Sequence, residues 1–78
     1  QTNKITIYPN PTSGIIRVSS TENNLKNVSL YSMLGSLIHS EEIVLNEIEL
    51  NLSHLTSGIY YLVLTSEDRI LNQKVIIE

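Results

Sequence analysis

The chain has 78 residues, a formal net charge of −3 at pH 7 and no cysteine. This length allows one domain at most, and the lack of cysteine excludes disulfides and cysteine-ligated zinc. The acidic balance argues against a nucleic-acid partner, and no apolar run approaches the ~20 residues that span a bilayer.

Apolar residues recur at every second position, which is the pattern of strands with one buried face. In chain order, this pattern predicts strands at residues 4–8, 14–19, 26–31, 36–41, 46–51, 58–65 and 70–77. The clearest alternation is that of Ile48, Leu50 and Leu52 with polar neighbours. Residues 58–65 are apolar on both faces, so that strand is predicted to lie in the middle of its sheet.

Turn residues separate the predicted strands. Residues 9–14 contain both prolines, which lack an N–H donor and restrict the residue before them. Gly35 is placed for a positive φ in a tight hairpin, and residues 66–69 form a polar hairpin turn. Seven short strands with a turn every eight to twelve residues predict a seven-stranded antiparallel immunoglobulin-like β-sandwich.

Residues that could support catalysis are few and scattered. His39 and His54 each stand without a metal-ligand pattern, and Glu41 and Glu42 point to opposite faces of a predicted strand. No nucleophile elbow, phosphate loop or calcium loop is present in the sequence. We therefore expect a protein without catalytic residues, metal or cofactor.

Four segments resemble the type A C-terminal sorting domain of the type IX secretion system. Residues 8–14 (YPNPTSG) are similar to its opening motif, and residues 28–35 (VSLYSMLG) to its second motif. Residues 52–60 (LSHLTSGIY) and 74–77 (KVII) are similar to its third and last motifs. The four segments occur in the family's order and at its natural spacing, and together they span nearly the whole chain. Two departures are Ser32, where the family often has Asp, and the terminal Glu78, where many members have a basic residue.

The resemblance implies a secretion and sorting signal of exported proteins in Bacteroidetes-type bacteria. Its implied partners are an N-terminally attached cargo, an outer-membrane translocon and a sortase-like peptidase that removes the domain. The implied route runs through the periplasm to the cell surface or the medium. Separately, we predict that the domain is a monomer. The positions that match the sorting motifs, and that translocon recognition would use, are Tyr8, Pro9, Asn10, Pro11, Gly14, Gly35, Gly58, Tyr60, Lys74, Val75, Ile76 and Ile77.

Two further interpretations stay open at this level. The motif positions can serve the fold alone, with the prolines shaping a turn and the last segment forming a strand. The chain can also be a fibronectin-like module that binds carbohydrate or protein, which would need an exposed aromatic patch. Because the chain has neither an initiator Met nor a secretory signal, we expect it to be a fragment of a longer polypeptide. The resemblance implies that this fragment is the C-terminal domain of a larger secreted protein. The final strand is predicted to be an edge strand that a partner recognises.

Overall fold

The structure is a computed structural model that describes residues 5–9, 13–21, 25–44, 46–67 and 69–78. All seven predicted strands are present, and their ends shift by one residue at most. Lys4, at the start of the first predicted strand, lies outside the described residues. The observed strands are β1 (Ile5–Tyr8), β2 (Ile15–Ser20), β3 (Leu25–Ser32), β4 (Leu37–Glu42), β5 (Glu47–Asn51), β6 (Gly58–Ser66) and β7 (Ile70–Ile77).

The strands form two antiparallel sheets, in the arrangement of a β-sandwich. One sheet has the order β1-β2-β5, and the other has the order β4-β3-β6-β7. Strand β6 pairs with β3 on one side and β7 on the other, which confirms its prediction as a central strand. In the described part of the chain, β7 lies at the edge of its sheet, as predicted.

The core follows the alternation read from the sequence. Inward side chains of the paired strands meet in the same register, for example Ile16 with Leu50 and Leu30 with Leu62. Intervening residues face outward, and β2, β3, β6 and β7 each contribute one row of buried side chains. The largest fully buried side chains are Ile16, Leu30, Leu52, Leu62, Leu64, Val18, Val28 and Val75.

The hairpin between β3 and β4 is made by glycine geometry and a side-chain cap. Gly35 has a φ of +93°, as predicted, and its N–H donates to the carbonyl oxygen of Ser32 at 3.0 Å. The N–H of Ser36 donates to the Ser32 hydroxyl at 3.2 Å. Ser32 therefore supplies the side-chain acceptor at the position where related sequences often have Asp.

Candidate functional site

The strand directions bring the described parts of the motif segments to one end of the molecule, which we call the motif end. It comprises the β1–β2, β3–β4 and β5–β6 connections and the C-terminal end of β7. In the smaller sheet, Tyr8 lies opposite Arg17 and Ile15 opposite Asn51. In the larger sheet, Ser32 lies opposite Tyr60, and Gly58 lies opposite Ile77. Strand β1 starts at the other end, where Ile5 faces Ser20.

The first and third motif segments touch at Gly14. The N–H of Leu52 donates to the Gly14 carbonyl oxygen. Gly14 is buried with a φ of +153°, and a Cβ added to it would lie 2.9 Å from the Cβ of Ser53. Ser53 is held in turn by Asn51, whose side-chain oxygen accepts from its N–H at 3.1 Å and its hydroxyl at 2.7 Å. Asn10 and Pro11, in the same first segment, lie outside the described residues.

Tyr60 ties the β5–β6 connection to the sheet. Its ring is buried in the core, and its hydroxyl donates to the carbonyl oxygen of Thr56 at 2.7 Å. A Tyr at the start of a strand that bonds to backbone a few residues upstream matches the tyrosine corner of β-sandwich proteins. The third motif therefore stabilises its own connection, with Gly58 between the two bonded residues.

Tyr60→Phe removes this hydrogen bond while keeping the ring in the core. We expect a loss of about 1 kcal/mol in the free energy of unfolding. For a domain of this size, that corresponds to a fall of about 4–8 °C in Tm. Tyr61→Phe, at the exposed neighbouring position, is the control and should change stability by less than about 0.5 kcal/mol. Equal melting of the two variants would show that the Thr56 bond contributes nothing.

The residues of the last motif lie partly in the core and partly at the surface. Val75 and Ile77 are buried, whereas Lys74 is exposed and Ile76 is half-buried. Lys74 lies opposite Tyr61 and Ile76 opposite Ile59, on the outer face of the larger sheet. Both residues take part in interactions within the domain.

Three further motif positions are at the surface. Tyr8 and Pro9 are exposed at the end of β1, and Gly35 is exposed in the β3–β4 hairpin. Met33 and Leu34 are large apolar side chains exposed in that hairpin, and neither is among the predicted site residues. The sequence feature that could have identified them is a pair of apolar residues in a turn, where polar residues and glycine are usual.

The described residues offer little for acid–base or metal chemistry. His39 Nε2 lies 2.9 Å from a carboxylate oxygen of Glu41, and both side chains are about half exposed. His54 lies in the exposed β5–β6 connection. No group of three His, Cys, Asp or Glu residues in the described ranges could hold a metal ion. None of the described residues belongs to a helix long and apolar enough to cross a membrane.

The chain matches one family model and is similar to several solved structures. The family model described as secretion system C-terminal sorting domain matches residues 6–78. A search of curated proteins found no match. Among solved structures, the chain is similar to PorZ, described as an essential bacterial surface component of the type-IX secretion system of Porphyromonas gingivalis. The TM-score is 0.75 at 17% identity, which shows a shared fold, and the match covers 95% of this chain and 11% of that chain.

Proposed function

The chain belongs to the secretion system C-terminal sorting domain family, and from this membership we propose how it carries a cargo. The domain is a sorting signal of type IX secretion, exported to the cell surface or the extracellular medium. We propose that it is the C-terminal domain of a larger secreted protein and directs the N-terminally attached cargo through the outer-membrane translocon. A sortase-like peptidase then removes the domain, and the cargo is released or attached to the surface.

The observation that supports this proposal is the gathering of the described parts of the motif segments at the motif end. Strand β1 begins at the opposite end, where Ile5 lies opposite Ser20. The exposed motif positions at the motif end are accessible to a translocon protein.

The recognition role belongs to the exposed motif positions. Gly14, Tyr60, Val75 and Ile77 are buried and serve the packing that shapes the motif end. Lys74, Ile76 and Tyr8 present side-chain atoms at the surface and are the positions that a translocon protein would contact. The domain itself performs no reaction, and any enzymatic activity belongs to the cargo.

The finer fold assignment is an immunoglobulin-like sandwich. Two features support it: the order β1-β2-β5 in one sheet with β4-β3-β6-β7 in the other, and the Tyr60 corner at the start of β6. The two sheets share the hydrophobic core, as sandwich domains do.

The function is tested by exporting a folded reporter fused in front of the domain in a bacterium that has a type IX system. We expect the reporter in the medium with the whole domain and in the periplasm without it. Deleting Lys74–Glu78 should also block export, but it removes Val75 and Ile77 from the core, so unfolding alone could explain that result. Export of the reporter without any domain would overturn the proposal.

Lys74→Ala and Ile76→Ser are the sharper variants, because both side chains point away from the core. We expect each to reduce the secreted reporter several-fold while the melting temperature of the domain changes little. Asn72→Ala, exposed on the same face of β7, is the control and should be exported normally. Full export of both variants would assign recognition to other positions of the motif end.

A further inference from the structure

The connection between β5 and β6 carries most of the third motif segment from the smaller sheet to the larger one. Strand β5 ends at Asn51, and β6 begins at Gly58 in the other sheet. The chain turns directly after β5, where the N–H of Leu55 donates to the carbonyl oxygen of Leu52 at 3.0 Å. The course of the connection relative to the smaller sheet is therefore set where β5 ends.

The side chain of Asn51 holds this turn from the outer face of the smaller sheet. Its amide oxygen accepts two hydrogen bonds from Ser53, one from the N–H at 3.1 Å and one from the hydroxyl at 2.7 Å. An amide oxygen has two lone pairs, so these bonds use its full acceptor capacity. Between the two residues, the N–H of Leu52 donates to the carbonyl oxygen of Gly14 and joins the turn to the start of β2.

The turn packs closely against the first motif segment. A Cβ built on Gly14 would lie 2.9 Å from the Cβ of Ser53, which is closer than two such atoms can approach. Gly14 is buried, and Ile15, the residue after it, lies opposite Asn51. Because the two segments are in direct contact here, the position of Ser53 fixes the third motif segment relative to the first.

We propose that Asn51 is a positioning residue for translocon recognition, which holds the first and third motif segments in the arrangement that the translocon binds as one surface. This inference rests on the sorting function proposed above. Exposed residues of both segments border the contact, namely Ser13 in the first and Ser53 and His54 in the third. A connection that is already held in its bound arrangement loses less conformational entropy on binding.

The test separates positioning from stability. Asn51→Ala removes both hydrogen bonds, whereas Asn51→Asp keeps an oxygen acceptor of the same size at the same place. Ile48→Val is the control matched for stability, since Ile48 lies in the same strand and packs against the core. We expect Asn51→Ala and Ile48→Val each to lower the Tm of the domain by about 4–8 °C.

Secretion and local opening should differ between these two variants. In the reporter fusion, we expect Asn51→Ala to lower secretion several-fold, while Asn51→Asp and Ile48→Val are secreted normally. Amide hydrogen exchange of the purified domain reports the turn directly, because the N–H of Leu52 is bonded to Gly14. This N–H should exchange about tenfold faster in Asn51→Ala than in Ile48→Val, since only the first variant releases the turn locally.

Three results would overturn the inference: equal secretion of Asn51→Ala and Ile48→Val, reduced secretion of Asn51→Ala without faster exchange at Leu52, or reduced secretion of Asn51→Asp. The second result would make Asn51 a direct contact of the translocon. If Asn51→Ala does not fold, Ser53→Ala replaces it under the same criteria, because it removes the 2.7 Å bond and keeps the Cβ. If the parent fusion itself is not secreted, the sorting function fails; if it is secreted, these three results bear on the positioning role alone.

Discussion

Leu62→Ala is expected to lower the free energy of unfolding by about 2–5 kcal/mol, the range for truncating a fully buried leucine. Leu62 has no solvent exposure and lies in the middle of β6, which is paired on both sides. The smaller side chain leaves a cavity between the two sheets that the surrounding strands cannot fill. A domain of 78 residues has a small stability reserve, so a large fraction of the variant should be unfolded.

Urea unfolding followed by circular dichroism measures this effect. Leu34→Ala is the matched control, since it removes the same atoms from a side chain that is almost fully exposed. It should change stability by less than about 0.5 kcal/mol. A cost below about 1 kcal/mol for Leu62→Ala would contradict the assignment of β6 as the central strand of the core.

Gly14→Ala is expected to destabilise the domain by about 2–4 kcal/mol, because backbone strain and overpacking add at this position. The φ of +153° is unfavourable for a residue with a side chain. The added Cβ would also lie 3.0 Å from the Ser53 Cα, so the backbone of the β5–β6 connection has to move. This would separate the first motif segment from the third.

Gly35→Ala measures the cost of backbone strain without the cost of overpacking. Gly35 also has a positive φ, but no atom lies within 4 Å of a Cβ built on it. Its substitution should therefore cost only the strain, about 1–2 kcal/mol. Thermal melting of both variants measures this difference in stability. Equal losses of stability in Gly14→Ala and Gly35→Ala would mean that the contact between Gly14 and Ser53 contributes nothing.

The positions of the strands are predictable from local sequence patterns, because a strand's buried face is encoded within its own residues. The alternation of Ile48, Leu50 and Leu52 specifies a buried face without reference to any other strand. Turn chemistry is local in the same sense, so the positive φ of Gly35 was predictable. The two-sided apolar character of residues 58–65 also sufficed to place β6 inside its sheet.

Contacts between distant segments depend on how the whole domain folds. The contact between Gly14 and Ser53 joins segments that are far apart in the chain, and no local pattern encodes it. The alignment of Leu37, Tyr31 and Tyr61 into one exposed row depends on the register of three strands. A shift of one residue would turn a strand's side chains to the opposite face. Register is set by the packing of the whole core, so this exposed row exists only in the assembled sheet.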